Sequence, residues 1–309
     1  MVNRILIRIL VVQTLYSYLI NKDSKETAAN KLKNSLDTAY QLYFYLLTLP
    51  VALTELQRQR LEAAKNKYLP SPEDLNPNTR FVDNTFAATI AENAIIKEFV
   101  TDNCVSWSDD EIYLRLILDK ILDSDIYADY MEKPKVTGDD DGEFWRQVMR
   151  KIVLPDEDLA EVLEAKSVFW NDDLEIVGTF ALKTFKRMAS NPYKAILPQF
   201  KDEEDAQFGY LLLNDVIDNY DDYLKLIDKF IPKSSWDISR IPVMDIVVLQ
   251  IAIAELLRVP SVPVVVTINE YVELAKCYST AKSGTFVNGI LYSIITHLKS
   301  EGILLKPID

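Results

Sequence analysis

The sequence predicts an all-α protein, and three observations carry that expectation. Apolar residues recur at spacings of three and four along most of the 309 positions, the period of one helix face, whereas strict alternation bounded by turn signals is almost absent. Residues 3–20 and 246–257 are apolar on nearly every face, which in a soluble chain marks helices surrounded by other helices. The 7 glycines are scattered, so no strand-to-helix turn offers the glycine cluster that lets backbone approach a nucleotide phosphate.

The elements follow in order. The opening, MVNRILIRILVVQTLYSYLI, has the early positive charge of a signal segment. Arg8, Gln13, Thr14 and Ser17 interrupt its apolar run, and no small-residue cleavage site precedes Asn21 to Glu26, so it reads as a buried soluble helix over 3–20. A second helix over 24–49 is expected to end near Pro50, because proline lacks the amide hydrogen and clashes with the preceding turn. A third helical pattern runs to Tyr68, where LPSPEDLNPNTR forms a linker.

Amphipathic stretches fill residues 81–200, with breaks at EKPKVTGDDDGE and SNPYKAILPQ. The triple aspartate does not fit a calcium loop. With Gly142 at the sixth position, Val148 falls at the twelfth, where a bidentate glutamate is required, and the segment reads as a solvated loop. A helix beginning near Phe208 is stopped by Pro232, and the second central helix follows.

Thr267 and Glu270 have the T-x-x-E spacing of a capping box, which places a helix start at Thr267. Ile268, Tyr271, Val272, Ala275 and Tyr278 then form its buried face. After STAKSG, a last helix buries Phe286, Ile290, Leu291, Ile294 and Leu298. A glycine inside a helix costs about 1 kcal/mol relative to alanine, so Gly289 predicts a close helix crossing.

The net charge of −13 opposes nucleic-acid binding as a bulk property, since such affinity comes largely from Lys and Arg neutralising phosphates. The charge is uneven, however. Residues 101–143 hold 13 acids against 4 bases, a local net of −9, whereas the first 22 residues hold Arg4, Arg8 and Lys22 with no acid. Residues 261–300 hold Lys276, Lys282 and Lys299 against Glu270 and Glu273, so both ends are mildly basic. One histidine, His297, and two cysteines, Cys104 and Cys277, offer little for acid–base or nucleophilic chemistry and no four-ligand zinc site. No catalytic residue, metal or cofactor is expected, and the cysteine count suits a reducing cytoplasm.

Arg240, Asp245, Glu255, Leu256 and Pro263, then INE at 268–270, ELAK at 273–276, Ser283 and FVNGIL at 286–291 together resemble the carboxy-terminal half of the NusB family. RILIRILVVQTLYSY, with Gln13, Leu15 and Tyr16, is similar to that family's opening helix. The resemblance implies a fold of two small helical bundles, here enlarged: residues 1–49 and 205–309 as the family-like parts, and 50–204 as an acidic helical insertion, whose local net of −9 is expected to discourage non-specific RNA binding. It implies a cytoplasmic bacterial transcription antitermination factor that pairs with the small-subunit ribosomal protein NusE on boxA-type RNA, within an RNA polymerase antitermination complex. No membrane contact is implied, and a homodimer is left open. A protein-only scaffold that keeps the fold without binding RNA is the alternative. An RNA methyltransferase that carries a NusB-like domain would need a glycine-rich methyl-donor site after the bundle, and none follows here.

The resemblance points to Arg4, Arg8, Lys282, Phe286 and Asn288 as RNA contacts and to Tyr16 as a partner contact. Arg4 and Arg8 lie one turn apart on one side of the first helix, placed to straddle a phosphate or to lay their stems over apolar neighbours. Two cations there oppose the helix macrodipole, so something else must favour them. Phe286 has the ring to stack on an unpaired base, or equally to fill the core. Asn288 is able to hydrogen-bond to backbone or ligand.

Overall fold

The computed structural model describes residues 1–167, 169–190, 195–231, 238–304 and 306. Its helices are α1 (Arg4–Asn21), α2 (Lys25–Lys65), α3 (Pro72–Leu75), α4 (Thr85–Glu92), α5 (Ala94–Asn103), α6 (Glu111–Leu122), α7 (Asp125–Glu132) and α8 (Gly138–Val148). They continue with α9 (Glu157–Lys166), α10 (Trp170–Ser190), α11 (Glu203–Asp218), α12 (Tyr220–Phe230), α13 (Val243–Arg258), α14 (Val264–Tyr278) and α15 (Ser283–Ser300). No β-strand occurs among the described residues. The chain divides into two compact units, one of Met1 with residues 37–199 and the other of residues 2–36 with 200–309. The divisions fall at 36/37 and 199/200, not at 49/50 and 204/205 as the sequence suggested.

In the second unit α13 packs against α1, α11, α12, α14 and α15, and every residue from Asp245 to Leu256 is buried. A helix enclosed on all sides has no polar face, which is why its sequence shows none. Along α1, Leu6 to Val12 are buried without a break. A close approach between helices in this unit is at Gly209 of α11. A Cβ there would lie 2.8 Å from Ile7 Cγ2 and 3.4 Å from Leu32 Cδ2, so only glycine lets α11 meet α1 and the start of α2. Gly289 is different from expectation: it is exposed, and a Cβ built on it meets nothing within 4 Å. Its cost in helix propensity is offset by no packing gain.

In the first unit α2 runs on through Pro50 instead of ending there. Leu42 to Leu47, Leu49 and Leu53 are all buried. Each such side chain contributes about 1.5–3 kcal/mol on burial, which together outweighs the roughly 3 kcal/mol penalty of an internal proline. The segment beginning GDDD is also not a loop. Thr137 caps α8 in a reciprocal box with Asp140, and Asp139, Asp140 and Asp141 form its first turn, where carboxylates complement the dipole. Asp141 is buried and accepts from the Thr85 amide at 2.8 Å, the Thr85 hydroxyl at 2.6 Å and the Tyr130 hydroxyl at 2.7 Å, fastening α8 to the start of α4. Tryptophan donors are satisfied in the same unit: Trp107 Nε1 by the Tyr45 carbonyl at 2.9 Å, Trp145 Nε1 by Asn84 Oδ1 at 3.2 Å and Trp170 Nε1 by the Thr38 carbonyl at 2.9 Å.

Asp173 of α10 is fully buried, and neither carboxyl oxygen has a hydrogen-bond partner among the described residues. Burial, aided by the charge of Asp172, pushes its pKa up from 3.8 to about 7. Below about pH 4 the group is neutral folded or unfolded. Between about 4 and 7 it ionises only when unfolded, so stability falls as pH rises through that window and the loss is complete above it. Asp173→Asn is expected to raise the melting temperature at pH 8, by the equivalent of at most about 4 kcal/mol, and to leave it unchanged at pH 3.5. Thermal melting monitored by circular dichroism at the two pH values checks this.

The two glycines give opposite expectations. Gly289→Ala stabilises by up to about 1 kcal/mol because it gains helix propensity into open space. Gly209→Leu destabilises by about 1 to 3 kcal/mol or more through overpacking against Ile7. Urea unfolding of both variants decides it.

Candidate nucleic-acid interface

α1 is capped by Asn3, whose side chain accepts from the Leu6 amide. Arg4 and Arg8 do share one side: both guanidinium carbons lie over the Phe208 ring, 4.9 and 5.2 Å from its centroid. Their charges face inward. Arg8 is buried and donates through Nε to Glu255 Oε2 at 2.8 Å and through Nη2 to Oε1 at 2.9 Å. Glu255, fully buried on α13, also accepts from Thr267 Oγ1 at 2.8 Å and from the Tyr271 hydroxyl at 3.0 Å. Burial by itself lowers the Arg8 pKa, but the hydrogen bonds and charge of Glu255 more than reverse this. Burial and the nearby glutamate hold the Tyr271 hydroxyl far above its ordinary value.

Thr267 is therefore not a helix cap. α14 starts three residues earlier, at Val264 after Pro263, and Thr267 is a buried side chain turned onto Glu255. Of the face assigned from spacing, Tyr271 and Ala275 are buried, while Ile268, Val272 and Tyr278 are half-buried. Val264 and Leu274 complete the buried side.

Arg4 is half-buried and is held by Asp205 at 2.6 Å and Glu204 at 2.8 Å, with Ser261 Oγ at 3.2 Å. One guanidinium thus sits between two carboxylates. A phosphate approaching Arg4 meets a net negative neighbourhood, and Arg8 is out of reach. These pairs are what favours two arginines at a helix amino terminus.

Lys282, Phe286 and Asn288 are elsewhere. Asp245 in the first turn of α13 and Glu255 are ten positions apart, about 15 Å along the helix, and the cavity beside Phe286 is at the Asp245 end. The arginines and the α15 residues therefore do not form one patch. Ser283 Oγ donates to Asp245 Oδ2 at 2.9 Å, and the Thr280 amide donates back to Ser283 Oγ at 3.1 Å. This latch fixes the turn before α15. It sets exposed Lys282 and half-buried Phe286 beside exposed Arg240, around a solvent-open cavity of about 420 Å³. Asp245 lines the same cavity, and its Oδ1 has no hydrogen-bond partner among the described residues. Two cations and an aromatic edge are the groups that seize a nucleotide phosphate and its base. Asn288 is exposed on α15, outside this lining. Tyr16 is exposed on α1, in line with Ile5 and Ile20.

Sequence reasoning did not place Arg240, Asp245 and Ser283 in a site. Their signal was present as polar residues flanking two apolar helices, but only the Ser283–Asp245 hydrogen bond brings them together. Among the described residues no group of His, Cys, Asp and Glu could hold a metal ion, and no helix is long and apolar enough to cross a membrane.

The sequence profile of the NusB family matches residues 175–296, beginning within α10 and ending within α15. The transcription antitermination protein NusB of Chloroherpeton thalassium is 38% identical over 131 residues, which cover 41% of this chain and 60% of that protein. That of Finegoldia magna is 39% identical over 101 residues, 33% of this chain and 72% of the relative. The chain belongs to the NusB family. It spans less than two thirds of the Chloroherpeton relative and 66% of a third, from Desulfatibacillum aliphaticivorans, which is 42% identical over 96 residues. The family match starts at residue 175, inside the segment that the sequence pattern assigned to the insertion. No solved structure matches the chain.

The buried network yields a stability expectation. Arg8→Ala leaves Glu255 charged and buried and is expected to cost about 3–5 kcal/mol, whereas Arg8→Met combined with Glu255→Leu recovers part of the loss, the Thr267 and Tyr271 hydroxyls then lacking this acceptor. Urea titration of the single and double variants tests it; equal losses would mean that Glu255 is not left as an uncompensated buried charge.

Proposed function

We propose that this protein is a transcription antitermination factor that binds boxA-type RNA together with NusE, as part of an RNA polymerase antitermination complex. The observation that carries the reading is the cavity of Arg240, Lys282 and Phe286, formed within the family-matched segment. Lys282 and Arg240 supply phosphate contacts and Phe286 a stacking face. Family membership supports a binding role over catalysis. With Arg4 and Arg8 internally neutralised, the chain's own cationic surface is small, so NusE is assigned the remaining basic contacts. Tyr16 and Ile20, one turn apart, offer an exposed apolar pair on α1 for that partner.

The internal pairing of both arginines also favours the second reading, a scaffold that engages proteins and leaves RNA to others. Residues 37–199 carry 29 acids against 18 bases, a net of −11, which disfavours loose RNA association by that unit.

The test is titration of a boxA-type RNA with the full chain, with and without NusE, at several salt concentrations. Phe286→Ala is expected to weaken the ternary complex by about 1–3 kcal/mol through lost stacking. Lys282→Ala is expected to lower the salt dependence by about one phosphate contact, and Tyr16→Arg to reduce NusE affinity without changing RNA affinity of the chain alone. RNA affinity that ignores both cavity substitutions, with NusE still bound, would support the scaffold.

A further inference from the structure

A second cavity, in the first unit, has no part in the RNA reading. Along α2, Thr48, Val51, Ala52, Glu55, Leu56 and Gln59 keep the spacing of one helix face for three turns, about 16 Å. Opposite stand Ile96 and Val100 of α5, Trp107 and Leu114, and the two walls bound a solvent-open groove of about 650 Å³.

We propose that this groove docks an amphipathic helix of a partner protein, about three turns long, with an apolar face at i, i+3, i+4 and i+7 and basic residues along both edges. The length and the apolar residues Val51, Ala52 and Leu56 along it match the helix-in-groove mode of recognition. The edges carry the charge argument. Glu55 stands on one rim and Glu111 on the other, with side chains 52% and 62% exposed. Each is paired with an arginine of its own helix, Arg58 and Arg115, in exposed contacts worth a few tenths of a kcal/mol that a partner cation readily replaces. Behind them the unit's net charge of −11 attracts a cationic segment at long range. Lys97 is the one cation in the described lining, so the partner position facing it is neutral or acidic.

A small ligand is less well served. Trp107 Nε1 is spent on the Tyr45 carbonyl and Ser106 Oγ on Ser108 Oγ, and the charged groups Glu55, Glu111 and Lys97 are exposed, so few buried polar groups remain to orient one.

The probe is a labelled peptide of roughly 14 residues built from leucine and lysine at that helical spacing, with a leucine–glutamate peptide as control, titrated against the full chain. The expected result is that the lysine peptide binds at least about tenfold tighter than the glutamate peptide. Ala52→Trp, which fills the floor, and the rim reversal Glu55→Lys with Glu111→Lys are each expected to weaken it about tenfold. Hydrogen exchange should slow in residues 48–59 and 96–107, and binding of boxA-type RNA should be unchanged. If Ala52→Trp fails to fold, the exposed rim reversal decides the question. The proposal is overturned if the lysine peptide binds the variants as tightly as the parent chain, or protects other residues. It is equally overturned if Ala52→Trp abolishes self-association in sedimentation velocity, which makes a second copy the occupant. An uncharged apolar dye that binds the groove where the peptide does not would overturn it in favour of a small ligand.

Discussion

The carboxylate of Glu255 is the constraint on which the family-matched unit depends. It sits on the most enclosed helix of that unit, where an unpaired charge would cost several kcal/mol. Arg8, Thr267 and Tyr271 together supply four hydrogen bonds to its two oxygens, and they come from α1 and α14. Satisfying one buried group therefore fixes the azimuth of two neighbouring helices around α13. Dispersion and apolar burial hold these helices together without choosing among rotations; the geometry of the guanidinium fork and two hydroxyls does choose. Lys306 adds a contact to the Glu255 carbonyl at the end of α13.

The same pairing determines where the unit can meet an anion. Once Arg8 is spent on Glu255 and Arg4 on Asp205 and Glu204, the amino-terminal helix has little free positive charge in its first two turns. Arg240 and Lys282 gather at the opposite end of α13, beside Phe286, where Ser283 and Asp245 hold the turn in place. Ser283 contributes no charge, but without it the turn bearing Lys282 loses its anchor. Electrostatics and local hydrogen bonding thus act in sequence: one removes a candidate surface, the other builds one.

The other unit solves a different problem. It carries most of the net negative charge, yet its interior is aromatic, with Tyr45 stacked on Trp107 at 3.7 Å and Phe44 on Phe99 at 3.9 Å between centroids. Acids such as Asp140 and Asp141 are placed at helix starts, where they bond amides and hydroxyls instead of repelling one another in a loop. Asp173 is the exception, a buried carboxyl kept near neutral by its surroundings. α2 belongs to both units, so the division at 36/37 runs through a continuous helix and not through a linker.

The all-α class, the two central helices and the family signature were legible in the sequence, because helical period and unbroken apolar runs are properties of neighbouring residues. The shared side of Arg4 and Arg8 was legible for the same reason, four residues being about one turn. What these residues face was not. Glu255 is 247 positions from Arg8 and Asp205 is 201 from Arg4, and no local pattern encodes such partners. Thr267 read as a cap because its spacing to Glu270 is right, but the tertiary demand of Glu255 for a donor took its hydroxyl instead. Pro50 read as a stop because the cost of a proline is local, while the burial that overrides it comes from helices contributed by distant segments. Gly289 read as a crossing for lack of any way to tell an exposed helix face from a tightly packed one, and it was at Gly209 that the packing of α11 on α1 left no room for a Cβ. Local sequence determined which helices form; long-range contacts decided which polar groups remained free to act.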